Sequence, residues 1–293
     1  MVQIIEFLAT DGAILNGFLN KSKERTNKVL IEIHGMTSNC FQLREKIIAD
    51  EVQKNKIDTI CFNTRGSEII KYQKYQDGRK ILAGTAYENI DDSYYDIVGA
   101  IKYAINLGYT SIYLQGHSLG ATKVVYVYNK IQKENKSLLK NIKALILLSL
   151  VDIPDMFKSY AGGEILKYAE KKEKEDRNLE LMPAEGFIHL ISVKTFLKYI
   201  KYNENINFAQ YSNKNDDFKI LNNINVPLFM RWGENNELIK MKSKDQVEFM
   251  NMKIKNNNKD INLIKGANHS YSGKEKELAM QISAFLNEIM VER

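Results

Sequence analysis

The stretch that most restricts how this chain can fold is YLQGHSLGATKVV, from Tyr113 to Val125. Its first part is apolar like a buried strand, its last part has the composition of a helix, and a serine stands between two glycines where they meet. A strand that passes into a helix over so few residues needs a sharp turn, and small flanking residues let that turn pack closely against its neighbours. Ser118 would then project above the carboxyl edge of a sheet, at the N-terminus of a helix, where it could act as a nucleophile.

Apolar strands and amphipathic helices alternate along the rest of the chain. An N-terminal hairpin turns at Asp11-Gly12, whereas residues 71–80 are expected to form a solvated loop instead of part of a pocket rim. Because several strands are apolar throughout, the pattern predicts an α/β fold with a mostly parallel sheet that is covered by helices on both faces. Strands are predicted at 28–34, 57–63, 111–115, 142–150, 226–233 and 261–266, and helices at 42–54, 89–109, 119–132 and 272–292.

The longest interval between predicted strands follows the strand 142–150. Some 75 residues of helical or irregular character fill it, which is more than an ordinary crossover needs. We therefore expect a helical lid inserted at 151–215, with residues 1–150 and 216–293 forming the core domain.

Composition limits the class of protein. The chain has 293 residues, of which 44% are hydrophobic, enough for a sizeable core. Its net charge of +6 comes from lysines spread along the chain, so nucleic acid is not expected as a partner. The N-terminus lacks the features of a signal peptide, and no apolar run approaches the ~20 residues that span a bilayer. Two cysteines, Cys40 and Cys61, lack the spacing of metal ligands, and we expect a cytoplasmic protein in which both thiols are reduced. We expect no membrane association, and the sequence leaves the oligomeric state open.

A nucleophilic serine needs a base, and the chain has four histidines. His34 ends a strand, His117 lies inside the serine turn and His189 lies in the predicted lid. His269 follows the last predicted strand, on a loop that can reach across the top of the sheet. It also follows the serine in chain order, which favours His269 as the base over a loop histidine that contacts only solvent.

A serine nucleophile also needs backbone N–H groups that bind an oxyanion. One is expected from Leu119, directly after the serine. The other is expected from Met36, in the loop HGMTSN that follows the first central strand. The alternative for this loop is a simple strand end with a turn, which its occurrence together with the serine turn argues against.

These segments resemble a known family. HGMTSN, GTAYENIDDSYYDI, YLQGHSLGATKVV, VPLFMRWGENNELI and GANHSYSG together are similar to the α/β-hydrolase superfamily, in particular to bacterial esterase-like and lipase-like members with a lid after the sixth strand. The resemblance covers nearly the whole chain and is least specific in 151–215. It implies the α/β-hydrolase fold, Ser118 as nucleophile, His269 as base, and an acid on the loop after PLFMRW.

The chain departs from the family at that acid. Similar sequences have aspartate three residues after the glycine, but here Gly233 is followed by ENNE, which puts Asn236 in that place. An amide can orient an imidazole but cannot stabilise an imidazolium as a carboxylate does. We favour the adjacent Glu237 as the acid, since glutamate serves in such triads. Glu234 on the same loop and Asp152 after the sixth strand are alternatives, as is a dyad oriented by Asn236.

The function expected from these residues is hydrolysis of a small or medium acyl ester through an acyl-enzyme, without a metal or organic cofactor. The expected partner is a small-molecule acyl substrate. His34, Phe157, Tyr160 and Phe196 are candidates to line its pocket, although the three aromatic residues could equally pack the lid onto the core. A thioesterase, amidase, peptidase or acyltransferase could use the same residues, and a non-catalytic ligand-binding protein of this fold is the competing class.

Overall fold

A central sheet of eight strands organises the chain, in the order β1-β2-β4-β3-β7-β8-β9-β10. The computed structural model describes residues 1–160, 162–183, 190–201, 206–211, 213–238 and 241–291. The strands are β1 (Val2–Leu8), β2 (Ile14–Asn20), β3 (Lys28–Ile33), β4 (Asp58–Phe62), β5 (Lys71–Lys74), β6 (Lys80–Ala83), β7 (Ser111–His117), β8 (Ile142–Leu148), β9 (Leu228–Gly233) and β10 (Lys259–Ile264). The helices are α1 (Leu43–Val52), α2 (Ser93–Asn106), α3 (Leu119–Glu134), α4 (Ile153–Tyr160), α5 (Gly163–Lys174), α6 (Val193–Ile200), α7 (Lys219–Asn222), α8 (Ser243–Lys253) and α9 (Glu275–Val291).

The sheet is mostly parallel, as predicted. The six strands from β4 to β10 across the sheet run parallel, whereas β1 and β2 add an antiparallel hairpin at one side. One face of the sheet packs against α2, α3 and α8, and the other against α1 and α9. Every residue of β4 and β9 is buried, which accounts for the mainly apolar composition of these strands. Among the described residues, no helix is long and apolar enough to cross a membrane.

The prediction of a solvated loop at 71–80 is wrong. Strands β5 and β6 form a two-stranded hairpin there. Tyr75 is buried and bridges to Ala13 at the end of the N-terminal hairpin, and Gln73 donates to the carbonyl of Ile14 at 2.6 Å. The segment is therefore ordered by contacts that are distant in sequence, which its polar composition did not indicate.

Helices α4, α5 and α6 lie between β8 and β9, and β8 is the sixth strand of the main sheet in chain order. We call the described residues of 151–215 the insert. The apolar side chains of the insert gather in a cluster of their own, which we call the insert cluster and which also includes Ile90 and Leu119 of the sheet region. The other buried members are Val151, Ile153, Met156, Phe157, Ala169, Met182, Ile191, Val193, Phe196, Leu197, Tyr199, Ile200 and Ile206.

Helix α6 is fastened to the sheet region by polar contacts. The Thr195 hydroxyl donates to the carbonyls of Ala86 and Glu88 at 3.0 and 3.2 Å, and the Ser192 N–H donates to the carbonyl of Ala86 at 2.8 Å. Phe157 and Phe196 are fully buried within the insert cluster, so they pack the insert and do not line a pocket. The side chain of Tyr160 and all of His189 lie outside the described residues. The division into a core and a lid domain stays a prediction.

Candidate active site

Ser118 occupies a strained turn between β7 and α3. Its φ of 55° and ψ of −122° are rarely adopted by residues other than glycine. A Cβ on Gly116 would lie 2.3 Å from the carbonyl oxygen of Gly120, and a Cβ on Gly120 would lie 2.2 Å from that of Ile33. Both positions therefore require glycine, and the turn presses close to the end of β3. Ser118, a residue that is 9% exposed, borders a cavity of about 550 Å³ at the carboxyl edge of the sheet.

His269 borders the same cavity, on the loop between β10 and α9. Both main-chain groups of this residue are engaged. Its N–H donates to the Glu237 carboxylate at 3.0 Å, and its carbonyl accepts from the His117 ring and the Ser149 hydroxyl, each at 2.9 Å. His117, which sequence reasoning set aside as a base, therefore holds the backbone of the loop that carries His269.

The ring of His269 meets Asn236. Its Nδ1 lies 3.2 Å from the Asn236 Oδ1, which also accepts the N–H of Leu238 at 3.1 Å. Because an amide oxygen only accepts hydrogen bonds, Nδ1 must carry the ring proton, which leaves Nε2 free to take one. The Leu238 N–H needs an acceptor too, so it keeps the amide oxygen and not the amide nitrogen toward the ring. The Asn236 Nδ2 is buried and has no hydrogen-bond partner among the described residues.

The carboxylate of Glu237, the acid favoured from the sequence, bonds to the main chain of His269 and not to its ring. Asn236 is buried, whereas Glu237 is exposed on the outer side of the turn, from where its carboxylate reaches the main chain of His269. Glu234 accepts the N–H of Gly266 at 2.8 Å, and Asp152 accepts the N–H of Asp155 at the start of α4 at 3.1 Å. Burial raises the pKa of Asp152 to about 6. Of the four candidates, the structure puts only Asn236 on Nδ1.

Burial governs the charge of His269. Removal from water lowers its pKa to about 4, against the attraction of the Glu237 carboxylate and with a smaller lowering contribution from the Arg44 guanidinium. The ring is therefore neutral at physiological pH, as a base must be before it accepts a proton.

Leu119 is the first residue of α3. The Ser118 carbonyl accepts the N–H groups of Ala121 and Thr122, which are the first N–H groups of α3 to take part in the helical hydrogen bonds. The N–H of Leu119 is among the helix-terminal donors that have no intrahelical partner. Because Leu119 directly follows the serine, its N–H is in the position expected of an oxyanion donor.

The loop that carries Met36 is held on both sides of that residue. The Gly35 carbonyl accepts from the His34 ring at 2.9 Å, and the Thr37 N–H donates to the Thr85 hydroxyl at 3.0 Å. Met36 borders the cavity beside Ser118. Its backbone N–H lies between two anchored residues, as a preorganised donor requires.

His34 does not border the cavity, contrary to expectation. Its Nε2 accepts the N–H of Thr64 at 3.2 Å while Nδ1–H donates to the Gly35 carbonyl, and burial lowers its pKa to about 3. It is a neutral support beneath the Met36 loop. The cavity has lining residues that sequence reasoning missed. They are Gly35, Thr37, Ser38, Gln42, Leu43, Arg44, His117, Leu238, Ser270, Ser272 and Glu275. These residues are brought together by packing between segments that are distant in sequence, so no local sequence pattern indicated them.

Comparison with known proteins identifies the fold of the chain, but it finds no relative by sequence. No protein-family model matches the chain, and no curated protein matches it in sequence. Among solved structures, the chain is similar to Est1E from Butyrivibrio proteoclasticus with ferulic acid bound, at 17% identity and a TM-score of 0.68, over 97% of this chain and 99% of the other.

Two further structures extend that likeness. The α/β hydrolase GrgF from Penicillium sp. sh18 is 17% identical with a TM-score of 0.64, over 99% of each chain. The carboxylesterase CesB (YbfK) from Bacillus subtilis is 15% identical with a TM-score of 0.56, over 98% of this chain and 92% of the other. The predicted fold class is confirmed, since the chain has the α/β-hydrolase fold over nearly its whole length.

Proposed function

We propose that the chain is a serine hydrolase, most simply a carboxylesterase that cleaves small or medium acyl esters. The observation that carries the proposal is the strained Ser118 turn beside His269 in one cavity, where Nε2 of the histidine has no hydrogen-bond partner among the described residues. Solved structures of this fold with esterase names add support. The fold alone hosts many functions, so the argument rests on the site.

In the proposed reaction, Nε2 of His269 takes the Ser118 proton while the serine oxygen attacks the ester carbonyl. The N–H groups of Leu119 and Met36 bind the oxyanion that forms. Collapse of this intermediate breaks the bond to the alcohol, which leaves with the proton from His269. A water molecule, deprotonated by the same nitrogen, then releases the acid. One water is consumed, and one acid and one alcohol are formed.

Asn236 takes the place of the acid in this mechanism. It orients the ring and sets the tautomer through its oxygen, which the Leu238 N–H keeps in position. It supplies no negative charge to stabilise the imidazolium. Glu237 is a positioning residue, since its carboxylate holds the main chain of His269.

A covalent probe and a series of esters test the proposal. An alkyl fluorophosphonate should add once per chain, with loss of fluoride, and peptide mapping should find the adduct on Ser118 and none on a Ser118→Ala chain. The same protein should hydrolyse p-nitrophenyl esters with acyl chains of two to eight carbons. A folded chain that neither labels nor hydrolyses any of these esters would contradict the proposal and favour the ligand-binding alternative.

The acid limit of activity should lie unusually low. Because burial lowers the pKa of His269 to about 4, its neutral form persists well below the ordinary histidine range. We therefore expect kcat/KM to stay level from neutral pH down to about pH 5 and to be half lost near pH 4. The assay should quench samples into alkali before the p-nitrophenolate is read, with circular dichroism at each pH as the control for folding. A half-loss between pH 6 and 7 would show that the ring is more easily protonated than its burial implies.

A further inference from the structure

The cavity beside Ser118 has two unlike ends. One is bordered by Met36, Met156 and Leu238, and the other by polar residues at the N-termini of α1 and α9. If the chain is an esterase, these ends hold the two parts of the ester, so their chemistry bears on the substrate class.

The apolar end lies against the insert. Met156 belongs to the insert cluster, and Met36 and Leu238 pack against it. An acyl chain placed here would replace water next to three apolar side chains, which favours a hydrocarbon group.

The polar end is open to solvent. Gln42 and Ser272 are exposed there, and Leu43 beside them is 64% exposed. A group at this end keeps contact with water, as the leaving alcohol of an ester does when it departs before the acyl-enzyme is hydrolysed. The solvent-exposed polar end therefore suits the alcohol and the apolar end suits the acid.

Two charged side chains border the polar end, Arg44 and Glu275. Arg44 forms an ion pair with Glu45, and both side chains are buried. Glu275 lies in the first turn of α9, where the helix dipole favours a carboxylate. Since the Arg44 guanidinium is already paired, it is not available to select an anion, and the end offers amide and hydroxyl groups that donate and accept hydrogen bonds beside a carboxylate that accepts them. Neutral hydroxyl groups are the ligands that match such a set.

We propose that the polar end is a subsite for an uncharged, hydroxyl-bearing alcohol, so that the substrate is an ester of an apolar acid with a polyol such as glycerol or a sugar. This inference rests on the proposed esterase function and adds the alcohol class to it. Gln42 and Ser272 are the specificity-determining residues within it.

A matched pair of substrates tests the subsite. 1-Monobutyrin and propyl butyrate share their acyl group and the three carbons of their alcohol, and differ by two hydroxyl groups. We expect kcat/KM to be at least tenfold higher for monobutyrin, measured by proton release in a pH-stat. Gln42→Leu should lower that ratio at least threefold. Gln76→Leu, the same exchange at an exposed position of the β5–β6 hairpin, should leave the ratio as it is.

The outcomes separate this inference from the proposed function. If p-nitrophenyl butyrate is cleaved but propyl butyrate is used as well as monobutyrin, the polyol subsite is wrong and the esterase stands. If 1-butyrylglycerol 3-phosphate is preferred to monobutyrin, the subsite selects an anion, and the assignment to neutral alcohols is wrong. If no ester is cleaved and Ser118 resists the fluorophosphonate, the proposed function fails, and the inference fails with it.

Discussion

Replacement of Ser118 by alanine is expected to reduce kcat for p-nitrophenyl butyrate on the order of 10⁵-fold to 10⁶-fold, as loss of the nucleophile does in well-studied serine hydrolases. The change removes the oxygen that forms the acyl-enzyme and leaves the rest of the cavity in place. Long progress curves at high protein concentration, with the spontaneous hydrolysis subtracted, measure the residual rate.

Two comparisons make this result specific. Ser137→Ala, the same exchange at an exposed position after α3, should keep full activity. His269→Ala should cost about as much as Ser118→Ala, and the double variant should be no slower than either, because the two residues act as a unit. Additive losses would mean that the two side chains do not share one proton transfer. A Ser118→Ala protein that keeps a tenth of the activity would place the nucleophile elsewhere.

The features that sequence reasoning could place are those whose geometry is set by the neighbouring chain. The turn at Ser118 follows from the glycines at 116 and 120, because neighbouring backbone atoms leave no room for a Cβ at either position. The parallel sheet follows from strands such as β8, whose near-complete burial accounts for its almost entirely apolar sequence. His269 could be selected because the chain has four histidines and one of them follows the last strand.

The residues that were misjudged depend on which way a side chain faces in the folded molecule. Asn236 and Glu237 are adjacent, and chemistry favours the carboxylate, but the loop buries the amide against His269 and leaves the carboxylate outside. His34 looked like a pocket residue since it ends a central strand, yet its ring turns under the Met36 loop to Thr64. No periodicity in sequence reports such rotations, since they are settled by packing across the sheet.

Asn236→Asp is expected to increase kcat/KM for p-nitrophenyl butyrate. The reverse change in a serine protease triad costs about 10⁴-fold, a loss that includes a wrong histidine tautomer. Here the Leu238 N–H already keeps the amide oxygen toward Nδ1, so the tautomer is right in the natural chain. The gain should therefore come from imidazolium stabilisation alone, and we expect it to be roughly 10²-fold, below the full effect seen in that triad.

The same variant should move the acid limb of the pH profile upward, because a carboxylate on Nδ1 favours the charged ring and raises the pKa of His269 from about 4. Asn235→Asp adds the same charge at an exposed position of the same loop and should change the rate little.

Glu237→Gln, which weakens a main-chain contact only, should lower kcat/KM about tenfold or less, as loss of a single hydrogen bond does. If Asn236→Asp folds but gains nothing while Glu237→Gln loses several orders of magnitude, Glu237 is the acid during turnover. The ring would then have to leave the amide when substrate binds. A gain confined to Asn236→Asp, with the upward shift in its pH profile, instead means that the natural chain works with an uncharged partner behind its base.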